Sequence, residues 1–89
     1  MGITAIKMKI MPESVETDLR KVEEEVKNRM MRNNVENPQL EVQPIAFGLN
    51  ALVVLFGWPE EKEFEGFEKE LQKIPGVSSI EILDMRRAI

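Results

Sequence analysis

The stretch Pro44-Ile45-Ala46-Phe47-Gly48-Leu49-Asn50-Ala51-Leu52-Val53-Val54-Leu55-Phe56-Gly57 sets a bend beside the densest apolar run of the chain. From Leu49 to Gly57 nearly every side chain is apolar, which at this length reads as an interior strand, apolar on both sides. Gly57-Trp58-Pro59 is expected to end it. Upstream, Leu40, Val42 and Ile45 alternate weakly over residues 39–46, interrupted by Pro44. Proline lacks a backbone donor, so this segment belongs at a sheet edge, near a strand end. Gly48 permits the backbone conformation that a hairpin bend needs. The Phe47 ring then stands near a loop tip, either buried beneath its own loop or offered to a partner.

Working outward, Ile6, Met8 and Ile10 alternate with Ala5, Lys7 and Lys9 over residues 3–11. This period of two marks a half-buried strand, broken by Met11-Pro12-Glu13-Ser14. Leu19, Val22, Val26 and Met30 form one helical stripe within residues 17–32. Thr17 or Asp18 is placed to cap it, and Asn33-Asn34 stops it. The pairs Glu23–Lys27 and Glu25–Arg29 have the favourable order. Phe64, Phe67, Leu71 and Ile74 return to helical spacing, which predicts a second helix over 60–73. Glu60, Glu61 and Glu63 then fall in its first turn, and Pro75-Gly76 ends it. Val77, Ile80, Ile82, Leu83 and Met85 read as a last strand over 77–86.

The order is βαββαβ, one domain over residues 1–89. Two helices with one apolar stripe each can cover one face of a four-stranded antiparallel sheet. Right-handed crossovers then give an α+β, ferredoxin-like sandwich with the first and third strands in the middle. That order agrees with the most apolar strand being third and the proline-bearing one lying at an edge.

Composition narrows the chemistry. The 89 residues contain no cysteine and no histidine. Disulfides, thiolate sites and histidine-dependent nucleophilic or zinc hydrolysis are excluded by inventory. Hydrophobic residues make up 43% and charged residues 31%, with a net charge of −4. The charges are interspersed, so there is no basic footprint for nucleic acid. No run is long enough to span a bilayer and the N-terminus lacks the apolar core of a signal peptide; a cytoplasmic location is expected.

Few side chains remain as candidates for chemistry. Glu23-Glu24-Glu25 and the acidic residues of 60–70 read as solvated helix faces, and the methionines as core filler. Trp58 is expected to pack under the second helix. Lys7 and Lys9 make the open face of the sheet polar, and the first strand lacks the aromatics on which RNA-binding domains of this topology stack bases. Arg86-Arg87 is either a solvated pair of charges or a guanidinium placed to enter a partner's anionic site. Neither catalytic residues nor cofactor or metal ligands are expected.

Pro44-Ile45-Ala46-Phe47-Gly48-Leu49 followed by an apolar strand resembles the signature of the guanine-nucleotide exchange domain of the elongation factor 1-beta family. Glu16-Thr17-Asp18-Leu19 before an acidic helix resembles it too, as does Val77-Ser78-Ser79-Ile80-Glu81-Ile82 followed by Met85-Arg86-Arg87. The resemblance covers essentially the whole chain and is to the archaeal form. It implies a ferredoxin-like domain, not an enzyme, that binds the GTPase elongation factor 1-alpha and accelerates GDP release. Phe47, with Ile45 and Gly48 in the same motif, corresponds to the aromatic that packs on the GTPase near its switch elements. Aligned from Val77, Arg87 corresponds to the basic residue that reaches toward magnesium and phosphate, with Arg86 beside it as the alternative. Eukaryotic members have lysine there, and here Ala88 and Ile89 follow. A monomer without nucleic-acid or membrane partners is expected.

Two other readings fit the fold class. One is a small-ligand regulatory domain that pairs through a sheet edge, which oligomeric state distinguishes. The other is an acylphosphatase-like hydrolase, which needs an arginine in the loop after the first strand; Met11 to Thr17 contains none.

Overall fold

A computed structural model describes residues 2–35 and 37–87; Ala88 and Ile89 lie outside it. Strand β1 (Ile3–Pro12) leads to helix α1 (Leu19–Arg32), strand β2 (Gln39–Pro44), a short 3-10 turn (Ala46–Gly48) and strand β3 (Asn50–Pro59). Helix α2 (Glu65–Gln72) and strand β4 (Val77–Arg87) complete it. The sheet has four strands in the order β2-β3-β1-β4, every neighbouring pair antiparallel. The two most buried strands are central, as the sequence implies.

Alternation along the strands decides which side faces the helices. Ile6, Met8 and Ile10 of β1 and Leu52, Val54, Phe56 and Trp58 of β3 enter one core with Val22, Val26 and Met30 of α1 and Phe67 and Leu71 of α2. Both helices therefore cover the same face. Trp58 is 2% exposed. Its ring stacks on Phe67 at 4.6 Å between centroids, and its Nε1 donates to the Lys62 carbonyl at 2.9 Å. That hydrogen bond is what makes burial of an indole N–H tolerable.

Several boundaries shift by a residue or two from the sequence reading, β2 ending at Pro44 and α1 starting at Leu19, and one cause links the two that reshape the second half of the chain. Strand β3 runs through Gly57-Trp58-Pro59, because Trp58 shares parity with Leu52, Val54 and Phe56 and must continue the strand to reach the core. Gly57 faces the open side, where a Cβ would lie 2.9 Å from the Ile3 Cγ2. Proline is tolerated at 59 because it is the last strand residue. Residues 60–64 are then needed to bring the chain back over the sheet, so α2 starts at Glu65 and not at 60. Glu60, Glu61 and Glu63 precede the helix; Glu65 and Glu68 are the acids of its first turn.

At α1 the alternatives of Thr17 and Asp18 resolve to Asp18, whose carboxylate accepts the Arg20 N–H at 3.0 Å. Thr17 instead accepts the Ser14 N–H at 3.2 Å through Oγ1. Asp18→Ala leaves that helix N–H without its partner and should lower unfolding free energy by about 1 kcal/mol, read from the urea midpoint with an unchanged slope.

The open face carries alternating charge. Lys7 lies opposite Asp84, and Lys9 opposite Glu81 on one side and Val53 on the other. Glu41 is the cross-strand partner of Val53.

Candidate functional site

Ala46 to Leu49 closes the β2–β3 hairpin. The Leu49 N–H donates to the Ala46 carbonyl at 3.3 Å, and the Ile45 N–H to the Leu49 carbonyl at 2.8 Å. Phe47 has φ 61° and ψ 31°, and Gly48 has φ 76°. Successive left-handed residues inside that hydrogen bond make a type I′ turn, whose twist matches a hairpin. Glycine at the second position is natural. A bulky aromatic at the first is an outlier, since left-handed backbone brings its Cβ against the carbonyl. The strained residue is 94% exposed. Among the described residues no packing covers that side chain, so the burial alternative of the sequence reading does not hold.

Ile45 is half-buried beside this turn. A second apolar side chain lies nearby that sequence reasoning passed over. Val15, in the loop after β1, is 62% exposed, and its Cγ1 lies 3.8 Å from where a Cβ on Gly48 would sit. The available signal was an apolar residue set between Ser14 and Glu16.

Arg86 and Arg87 stand elsewhere. Thr4 is the cross-strand partner of Arg87, and Ala5 of Arg86. Consecutive strand residues point to opposite faces. Arg86 thus shares the open face with Ala5, whereas Arg87 shares the helix-covered face with Thr4. Arg86 Nε lies 2.9 Å from Asp84 Oδ2 on its own strand. Arg87 Nε pairs with Glu60 Oε1, on the turn after β3.

The structure does not bring Phe47 and Arg87 together. The hairpin caps the start of β3, where Asn50 pairs with Pro44. The arginines lie where β3 ends, since Pro59 pairs with Ile3 and Thr4 with Arg87. The ten residues of β3 separate these ends, a span of about 30 Å at roughly 3.3 Å per residue. The longest dimension is 42 Å, so the candidates occupy the two ends of the long axis.

Among the described residues no group of three or more acidic side chains is placed to hold a metal ion. No helix of the described residues is long and apolar enough to cross a membrane.

The model of the EF-1 guanine nucleotide exchange domain matches residues 5–88. The chain is similar to elongation factor 1-beta of Archaeoglobus fulgidus, 41% identical with 96% of this chain and 97% of that protein covered. It is also similar to elongation factor 1-beta of Methanosarcina barkeri, 40% identical over 98% and 99% of the two chains. The namesake of Nanoarchaeum equitans is 43% identical over 91% and 100%. Among solved structures, the BlrP1 BLUF chain superposes with a TM-score of 0.60 at 16% identity, covering 99% of this chain and 56% of that one. At that identity the likeness is one of fold.

Proposed function

The chain belongs to the EF-1 guanine nucleotide exchange domain family and is a guanine-nucleotide exchange factor of translation elongation, and on that premise we propose that its two ends divide the work on elongation factor 1-alpha. The Phe47 end supplies affinity: an exposed aromatic held in a strained turn, with Ile45, Gly48 and Val15 around it, has the form of a contact anchor. The Arg87 end supplies exchange. A guanidinium brought to the anionic surroundings of magnesium and diphosphate takes over part of the metal's electrostatic role, so metal and nucleotide are held less tightly.

Exchange of this kind is linkage. The factor must bind the nucleotide-poor GTPase more tightly than the loaded one, and the nucleotide weakens the factor by the same ratio. No covalent bond of the nucleotide changes, so the chain is not an enzyme in that sense. The observation that carries the division of labour is the separation of Phe47 from Arg87 along the whole of β3. Two groups about 30 Å apart cannot both sit at one nucleotide's edge. The domain therefore lies along the GTPase and touches two separate places at once. It works as a monomer in the cytoplasm, and the alternation of Lys7 and Lys9 with Glu81 and Asp84 leaves its open face without a basic patch for nucleic acid.

Release of labelled GDP from elongation factor 1-alpha tests the reading. Adding the chain should speed release in proportion to its concentration until saturation. Release no faster than the spontaneous rate would sink it.

A further inference from the structure

Resting on that reading of Arg87, we propose that Glu60 is a positioning residue for exchange, its carboxylate holding the Arg87 guanidinium across the start of β1 so that the cation is presented already oriented. The carboxylate stands on a fixed post. The Glu60 N–H donates to the Gly2 carbonyl at 3.0 Å, and the preceding Pro59 is the last residue of β3, paired with Ile3. Beyond it the Lys62 N–H returns to the Pro59 carbonyl at 3.1 Å, and the Lys62 carbonyl is held by Trp58 Nε1. The Glu60 side chain is only 27% exposed, against 76% for Arg87.

The Arg87 backbone is paired with Thr4 of β1, but its long side chain reaches out from the sheet and is 76% exposed. The residue ends the described part of an edge strand, with β1 on one side only. A free arginine there samples many rotamers, and each productive encounter must select one. The contact with Glu60 engages Nε. A guanidinium has five N–H donors in a planar fork, so its terminal nitrogens stay available for phosphate or carboxylate. Arg86 differs in kind. Its partner Asp84 lies two residues away on the same strand and on the open face, so that pair moves with β4 and fixes nothing between strands. Glu60 thus distinguishes Arg87 from Arg86.

The test separates placement from affinity. Glu60→Gln keeps the size of the side chain and removes its charge. It should lower the maximal rate of GDP release at saturating factor by about two- to fivefold, the size of an exposed ion pair expressed as a population ratio. The concentration giving half-maximal release should stay level or fall, because a negative charge is lost near an anionic target. Thermal unfolding should be unaffected. In the Arg87→Ala background, Glu60→Gln should have no further effect, since coupled residues are non-additive. In the free protein, the Arg87 Nε–Hε NMR signal should be distinct and should move to the position of solvated arginines in Glu60→Gln. An unchanged or higher maximal rate, an additive double variant or an unmoved Nε signal overturns the proposal. If Arg87→Ala leaves release unaltered, the role of Arg87 falls and that of Glu60 with it. If Arg87→Ala slows release and Glu60→Gln does not, the proposal for Glu60 alone falls.

Discussion

Arg87→Ala should slow maximal GDP release from elongation factor 1-alpha by roughly 10- to 100-fold, the weight of a hydrogen bond to a charged group of about 1.5–3 kcal/mol. Saturating factor should not restore the rate. The concentration needed for half-maximal release should change much less, because the anchor proposed at Phe47 lies at the other end of the domain, beyond the length of β3. This split identifies a group that acts on the nucleotide-loosening step and not on association. Stability should hardly change, since Arg87 is an exposed residue whose Glu60 pair is at the surface. Arg86→Ala is the matched comparison. It removes the same charge one residue away but from the open face, where Asp84 engages it, and should slow release far less. Arg87→Lys keeps the charge while losing the planar fork and the Nε contact with Glu60; it should retain more activity than alanine and less than arginine. Single-turnover release of labelled GDP, titrated in factor, gives both quantities. Equal slowing by Arg86→Ala and Arg87→Ala would contradict the facial assignment.

Much of this architecture was legible because two periods dominate the sequence. Ile6, Met8 and Ile10 announce a half-buried strand, and Val22, Val26 and Met30 a helical stripe; both sets are in the core. The βαββαβ order then leaves few topologies. Punctuation was the weaker guide. Gly57 and Pro59 looked like a stop, yet the parity of Trp58 with Phe56 and Val54 carried β3 past them, and the acids expected in a first helical turn became a connector. Burial of a large aromatic outweighs the preference of a glycine or a proline for a turn. The site was legible in parts. A glycine-bearing bend with a nearby aromatic is visible in the sequence, but the strain is not. Type I′ turns announce themselves as Asn-Gly or Asp-Gly, and Phe47-Gly48 carries no such mark. The separation of Phe47 from Arg87 follows from antiparallel order alone, since β3 starts at the hairpin and ends where β4 ends. The Glu60–Arg87 pair could not be foreseen in that way. Its partners are 27 residues apart, and they meet only because the registers of β3 and β4 against β1 bring Pro59 and Arg87 to the same end.

The strained turn makes Phe47 a site where stability and binding respond in opposite directions. Phe47→Ala removes the ring of a residue that is 94% exposed, so the domain loses almost no burial and its unfolding free energy should stay within about 0.5 kcal/mol of wild type. Phe47→Gly goes further. With φ at 61°, a residue bearing a Cβ is disfavoured by about 1–2 kcal/mol, and glycine escapes that cost. It gives back roughly 0.5–1 kcal/mol through the greater freedom of the unfolded chain. The glycine variant should therefore match or exceed wild-type stability, by up to about 1 kcal/mol. Alanine retains a Cβ and should not share the gain. Binding should move the other way in both. An aromatic anchor at the centre of a contact is worth about 2 kcal/mol or more, so the concentration for half-maximal exchange should rise about 30-fold. Maximal release at saturation should be largely preserved, the inverse of the Arg87→Ala pattern. Urea unfolding beside titrated GDP release measures the two effects on the same preparations. A clear loss of stability in Phe47→Gly would mean that the ring is packed within the domain after all. Unaltered half-saturation would mean that the strain at Phe47 serves something other than this GTPase. Finding both expected shifts would show why such a residue persists in a turn that glycine or asparagine would fill with less strain: the ring is held outward at a cost to the fold, and the return is collected on the partner.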